Sequence, residues 1–373
     1  MQETRISVDD IDDIALGATV LGTGGGGDPH VGALTAKRLI RLHGDVELMP
    51  LDRLSDDDFV VPIGGIGAPS VSVERIMAES ELLQALEAAE RATGRKPTAV
   101  MPIEVGGGNS MIPIAAAAIA GLPVVDADAM GRAFPEAQMV TFHLAGFKPG
   151  VTVMTDHHGN EVVTRPVDGR WSERLARSVT VEMGGAATMI DYMYGGDVVR
   201  QVGIPGTLSL AKRIGQVLNA RLGDHSDVDP VRKLIRELNA HHLFDGKVVD
   251  LQRGFEAGFT RGSAELQGIG EFRGSRFELL FQNEMLLARR DGRAAAVTPD
   301  LIAVIDASSG RPITTEGIRY GTRITVIGMP ADERWRTPEG LATAGPRYFG
   351  FDVDWEPIET LAARAAVGTE ESN

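Results

Sequence analysis

The stretch Thr98-Ala-Val-Met-Pro-Ile-Glu-Val-Gly-Gly-Gly-Asn-Ser110, followed by the apolar run Met111 to Gly121, constrains the fold of this chain more than any other. An apolar segment between Lys96-Pro97 and a glycine cluster, then a run of alanines, predicts a buried strand, a tight turn and a helix. The next apolar segment, Leu122-Pro-Val-Val-Asp126, is short and β-branched, so the helix reads as the crossover of a parallel βαβ unit. Each strand ends in acid, Glu104 in one case and Asp126 with Asp128 in the other. Asp58-Phe-Val-Val-Pro-Ile63 runs in the same way into Gly64-Gly-Ile-Gly67. Ligands of open α/β sheets sit beyond the carboxyl ends of the strands, where turns are short and helix N-termini point free N–H groups at the crevice. This edge is therefore the expected active site.

The rest of the first half fits the same class. Ser7-Val-Asp-Asp10 has the spacing of a capping box ahead of Ile11, Ile14, Ala15 and Ala18 at helical intervals. That first helix ends in Gly22-Thr-Gly-Gly-Gly-Gly-Asp-Pro29, where Asp28-Pro29 starts a second helix reaching about Leu42. A nucleotide-binding glycine loop follows a strand, and a phosphate loop ends in Lys-Ser or Lys-Thr. Here a helix precedes the loop and Asp28-Pro29 follows it, so the loop reads as a helix-to-helix turn or as a site for a small anion or polar substrate. Val46 to Met49 is a further strand, Ser80 to Thr93 a helix, and Gln138 to Leu144 and Val151 to Thr155 strands, the last forming a hairpin with Glu161 to Thr164.

A chain of 373 residues suggests two domains. The helix–strand alternation lapses near Arg165-Pro-Val-Asp-Gly169, which places an N-terminal α/β domain with a largely parallel sheet over 1–168. The C-terminal domain, 169–373, opens with helices over Trp171 to Gly184, Pro205 to Leu222 and Val228 to His241. It continues in short β-like runs from Leu243 to Gly328, so it reads as a β-rich α+β domain with an antiparallel sheet or small barrel.

Composition narrows the function. Asp and Glu number 52 against 37 Lys and Arg, a formal charge of −15, which disfavours nucleic acid as a partner. With no cysteine there is no disulfide, thiolate metal site or cysteine nucleophile. The N-terminus lacks the pattern of a signal peptide, and no apolar run reaches the length of a membrane span, so a cytoplasmic protein is expected. The prevalence of symmetric assemblies makes a homo-oligomer the default.

Several strings occur together and in order: Gly22-Thr-Gly-Gly-Gly-Gly-Asp-Pro29, Glu104-Val-Gly-Gly-Gly-Asn-Ser110, Asp126-Ala-Asp-Ala-Met-Gly-Arg-Ala-Phe-Pro-Glu136, Ile204-Pro-Gly-Thr-Leu-Ser209, Phe281-Gln-Asn-Glu284, Thr298-Pro-Asp-Leu-Ile302 and Gly345-Pro-Arg-Tyr-Phe-Gly350. Over nearly its whole length the chain resembles the bacterial family named for S-methyl-thiohydantoin desulfurase. The resemblance implies hydrolysis of an S-methylated five-membered thiohydantoin to a hydantoin with release of methanethiol. Relatives are discussed beside hydantoinases and oxoprolinases, which act on cyclic ureides and lactams. The alternative is a noncatalytic binding or accessory subunit of a hydantoinase-type enzyme. No catalytic residue is carried over from the family.

Replacing a methylthio group at an amidine-like carbon needs an activated water, a proton donor and groups that orient the ring. Glu104, Asp126 and Asp128 are the candidate catalytic acids, although Glu104 could equally cap the glycine turn and the aspartates could pair with Arg132. Gly24, Gly25, Gly65, Gly107, Gly108, Asn109 and Ser110 are the candidate substrate-binding positions, with helix capping the competing role of Asn109 and Ser110. A divalent metal such as zinc could be held there only by carboxylates, with Asp126 and Asp128 the candidates and His143 or His30 as optional further ligands. The adjacent pairs His157-His158 and His241-His242 are not metal motifs by spacing. Gln282-Asn-Glu284 and Thr298-Pro-Asp300 are polar interruptions that either reach the substrate or form a structural network.

Overall fold

In a computed structural model, residues 4–67, 71, 78–219, 230–256 and 258–370 are described. Ten strands form the first sheet: β1 (Arg5–Ile6), β2 (Val46–Pro50), β3 (Phe59–Gly67), β4 (Ala99–Pro102), β5 (Val124–Asp128), β6 (Thr152–Thr155), β7 (Glu161–Thr164), β8 (Ala186–Ile190), β9 (Tyr194–Gly195) and β10 (Ile204–Pro205). Their order is β1-β2-β5-β4-β3-β8-β6-β7, with β10 on β5 and β9 on β3. The centre, β2-β5-β4-β3, is parallel, and every other pairing is antiparallel.

Parallel strands covered on both faces must be apolar throughout. Val60, Val61 and Ile63 of β3 and Val100 and Met101 of β4 are all fully buried. The helix Met111–Ala120 returns the chain from β4 to β5, as the sequence predicts, and ends at Gly121 in the left-handed region. Strands β8 to β10 follow residue 168 and still join this sheet, so the chain passes from one sheet to the other only between the helix Pro230–Glu237 and His241.

The second sheet has seven antiparallel strands: β11 (His241–Glu256), β12 (Phe259–Gly268), β13 (Arg276–Gln282), β14 (Glu284–Arg290), β15 (Arg293–Val297), β16 (Leu301–Asp306) and β17 (Arg323–Met329). They run β15-β14-β13-β12-β11-β17-β16 and curl into a half-barrel. Phe244, Leu266, Phe277 and Val326 fill its own core. Leu301, Ala303 and Ile327 instead join the core of the first sheet together with Trp335. The Trp335 indole N–H donates to the Met130 carbonyl at 2.8 Å, and its ring lies 4.6 Å from that of Phe134. One face of β16 and β17 is thus packed against the first sheet, while the other faces the second sheet's own core.

One expected strand is a helix. Gln138 to Leu144 contains the helical turn Thr141–Leu144, in which Phe142 is buried and stacks on Tyr192 and Tyr194 with ring centroids 5.5 Å and 5.7 Å away. A short, mostly apolar run of this kind has too little periodicity to separate the two states, and tertiary packing decides. Of the helix expected from Val228, residues 228 and 229 lie outside the described residues, as do 220–222 of the helix expected from Pro205. Among the described residues no helix is long and apolar enough to cross a membrane.

Candidate functional site

The two glycine stretches meet. Gly22–Asp28 turns the chain from the helix Ile11–Leu21 into the helix Pro29–His43, whose first turn is capped by Asp28 accepting the His30 N–H at 2.8 Å. On one side of this loop the Gly108 N–H donates to the Gly27 carbonyl at 3.1 Å. Gly107 has φ +49°, and a Cβ there would stand 2.2 Å from the Gly27 oxygen, so only glycine fits. On the other side the loop binds the second sheet. The Thr23 carbonyl accepts the Met285 N–H at 2.7 Å, and the Gly24 carbonyl accepts the N–H and hydroxyl of Thr315 at 2.8 Å and 2.9 Å.

A cavity of about 200 Å³ opens beside this junction. Its walls are Gly26–Asp28, Gly64–Gly67 at the end of β3, Glu104, Gly108 and Asn109, the segment Phe134–Ala137, Glu173 and Arg177, Asp191, and Asn283 with Glu284 from the second sheet. Asn109 organises the near wall. Its side-chain carbonyl accepts the Gly65 N–H at 2.6 Å, and its amide donates to Oε1 of Glu104. The second oxygen of Glu104, Oε2, is buried and has no hydrogen-bond partner. Burial pushes the Glu104 carboxyl up to about 8, against the Asn109 amide and the nearby Phe134 main-chain N–H, which favour the ionised form.

Glu284 stands on the opposite side of the domain junction, its carboxylate lying against the Gly25 backbone, where a Cβ would be 1.9 Å from Oε1. Its Oε2 is also buried and unpartnered. Burial first and the charge of Glu104 second hold it well above the ordinary carboxylate range, with Arg132 opposing. Arg132 is fully buried, and its guanidinium hydrogen-bonds to Thr23 Oγ1 and to the carbonyls of Ala133, Met285, Pro299 and Asp300 at 2.8–3.3 Å. Its donors serve neutral oxygens, so its charge remains to balance Glu104, Glu284 and Asp300. A third cavity acid, Asp191, is pushed up to about 7 by burial despite its contact with the Ser172 hydroxyl.

The sequence-derived candidates divide. Glu104, Gly65, Gly108 and Asn109 line the cavity. Gly24, Gly25 and Gly107 build the junction behind it, and the Ser110 hydroxyl donates to the Val105 carbonyl, tying the turn to the strand. Asp126 caps the helix Thr207–Asn219, accepting the Leu208 and Ser209 N–H groups at 3.1 Å each and the Ser209 hydroxyl at 2.5 Å. Asp128 accepts main-chain N–H groups of Val105 at 2.9 Å, Met130 at 3.2 Å and Gly131 at 2.8 Å, and burial nevertheless pushes it up to about 7. His30 is exposed, and His143 is half-buried against Gly169.

Asp126, Asp128, His143 and His30 are therefore not gathered into a ligand set. Among the described residues, the group of three possible metal-ligating side chains with ligand atoms within 4.8 Å of one another is His242, Asp245 and Glu271, on the second sheet. There the His242 Nε2 lies 3.2 Å from Asp245 Oδ1, an ordinary surface pair.

Sequence reasoning did not single out Asp191, Glu173 or Arg177, and gave Arg132 only as a partner for the aspartates. Asp191 carried the same signal as Glu104, an acid directly after a short apolar strand.

Residues 9–166 match the S-Me-THD-like N-terminal domain, and residues 167–358 match the S-Me-THD-like C-terminal domain. The chain belongs to the S-Me-THD-like family. A crystal structure of a protein from Chromobacterium violaceum has the same fold as this S-Me-THD-like chain, with a TM-score of 0.77 over 95% of this chain and 100% of that one at 22% sequence identity. No curated protein matches this S-Me-THD-like sequence.

Proposed function

We propose that the protein is a hydrolase of small cyclic amide-like substrates of the S-methyl-thiohydantoin type, with Glu104 and Glu284 as its acid–base pair. The observation that carries this reading is the unpartnered, buried Oε2 of Glu104 in the cavity wall, next to an Oε1 fixed by Asn109. A buried polar atom without a partner is costly unless a ligand supplies one. Two carboxyl groups beside one guanidinium are neutral as a whole when they share a single proton. That state offers a base and an acid together.

The carboxylate takes a proton from water as its oxygen attacks the ring carbon that carries sulfur. The carboxylic acid gives its proton to the departing sulfur. The C–O bond forms, the C–S bond breaks, and methanethiol leaves a hydantoin. Asn109 holds Glu104 in place through Gly65, and the family membership supports the substrate class.

Purified protein incubated alone with an S-methyl-thiohydantoin should release methanethiol and hydantoin in equal amounts. Binding without turnover, restored by a hydantoinase-type enzyme, would instead support an accessory subunit.

A further inference from the structure

Strand β7 ends the first sheet, and among the described residues it pairs with β6 alone. The ladder shows which of its main-chain groups are left over. At the hairpin turn the Asp156 N–H donates to the Asn160 carbonyl at 3.2 Å, and the register sets Met154 opposite Val162 and Thr152 opposite Thr164. Successive residues of an antiparallel strand aim their N–H and C=O groups to opposite sides. Val162 and Thr164 therefore bond to β6, and Glu161 and Val163 turn theirs outward. Pro166 favours extended backbone at Arg165 and, having no N–H, closes the edge.

The side chains along this edge are apolar and charged in a particular order. Val163 is exposed, as are Val167 and Trp171 on the chain that follows β7. Folded proteins seldom leave an apolar strand edge open, because it templates pairing with another chain. Glu161 and Arg165 lie two residues to either side of Val163 on the same face. Arg91 takes Oε2 of Glu161 at 2.6 Å, whereas Arg165 is exposed and has no carboxylate partner among the described residues.

We infer that β7 is the interface with a second copy of this chain, the two strands pairing antiparallel about a two-fold axis at Val163. Val163 then faces its own copy, exchanging both outward hydrogen bonds, and Glu161 faces Arg165 of the other copy on each side of the axis. The patch is self-complementary, as a two-fold interface requires. Centring the pair on Glu161 instead sets carboxylate against carboxylate, which disfavours that register. The two first sheets become one continuous sheet.

Sedimentation equilibrium of the full chain should show a dimer. Val163→Pro deletes the outward N–H and spares the bonds to β6, so it should yield a monomer. Arg165→Glu opposes like charges and should weaken the dimer about tenfold, and adding Glu161→Arg should restore the wild-type constant. Because the sequence has no cysteine, Val163→Cys carries a single thiol. Oxidation should link it to its copy across the axis, since directly opposed strand positions lie within disulfide reach. Val167→Cys, exposed but off the axis, should stay unlinked. The charge exchange and the thiol decide the matter should Val163→Pro fail to fold. A monomeric wild type overturns the inference, and so does a dimer that ignores Arg165→Glu or is not linked through position 163.

Discussion

The Asn109 side chain bridges two strand ends, accepting the Gly65 N–H at 2.6 Å and donating its amide to Oε1 of Glu104. The bridge both orients Glu104 and favours its ionised form. Replacing Asn109 by alanine removes the donor, so the Glu104 carboxyl should rise above its value of about 8. The alkaline limb of kcat/KM against pH should move upward with it. An unmoved limb would show that Glu104 does not govern that limb.

Stability should decline as pH rises. Burial holds Glu104 at about 8 and Asp128 and Asp191 at about 7, all above the ordinary carboxylate range. Folded protein therefore binds more protons than unfolded protein between those limits. The contribution of these acids is complete below about pH 4 and is lost as pH passes through 7 and 8. Denaturant midpoints should fall from about pH 5 to about pH 9, and Glu104→Gln should make the fall shallower. A midpoint that rises across this range contradicts the protonated state assigned to the cavity acids.

Asp126 should prove structural. Its carboxylate accepts two main-chain N–H groups and a hydroxyl at the start of the helix Thr207–Asn219. Asp126→Ala should cost about 1–2 kcal/mol of stability, with turnover per folded molecule near that of the wild type. Loss of turnover in a variant with wild-type stability would return Asp126 to the chemistry.

What the sequence made legible was local. Pattern and punctuation sufficed for the strand, turn and helix around Glu104, for the Asp28-Pro29 helix start, and for the acid at each strand end. The partners of those acids lie far along the chain. Ser209, which occupies Asp126, follows it by 83 residues, and the Arg132 guanidinium reaches carbonyls 153 to 168 residues away. Glu284 stood out as a polar break between apolar strands, but its position across from Glu104 depends on how the two sheets pack. No spacing in the chain encodes that. The same holds for Gln138 to Leu144, where the packing of Phe142 on Tyr192 and Tyr194 accompanies a helical turn in place of the expected strand.

The adjacent glycines should separate. At Gly107 a Cβ meets the Gly27 oxygen at 2.2 Å in a backbone with φ +49°, whereas at Gly108 the nearest atom, the Asp28 oxygen, is 3.3 Å away. Gly107→Ala should destabilise the fold by about 1–3 kcal/mol or more. Gly108→Ala should unfold near the wild-type midpoint and chiefly affect ligand binding at the cavity wall. Equal midpoints for the two variants would mean that the loops do not pack as described.

Methanethiol release by Glu104→Gln is the most direct measurement. The substitution keeps the size of the side chain and removes both its charge and its acidity. Turnover of an S-methyl-thiohydantoin should drop at least about a hundredfold, with a cooperative unfolding transition preserved. A folded Glu104→Gln protein that releases methanethiol at the wild-type rate would contradict the account.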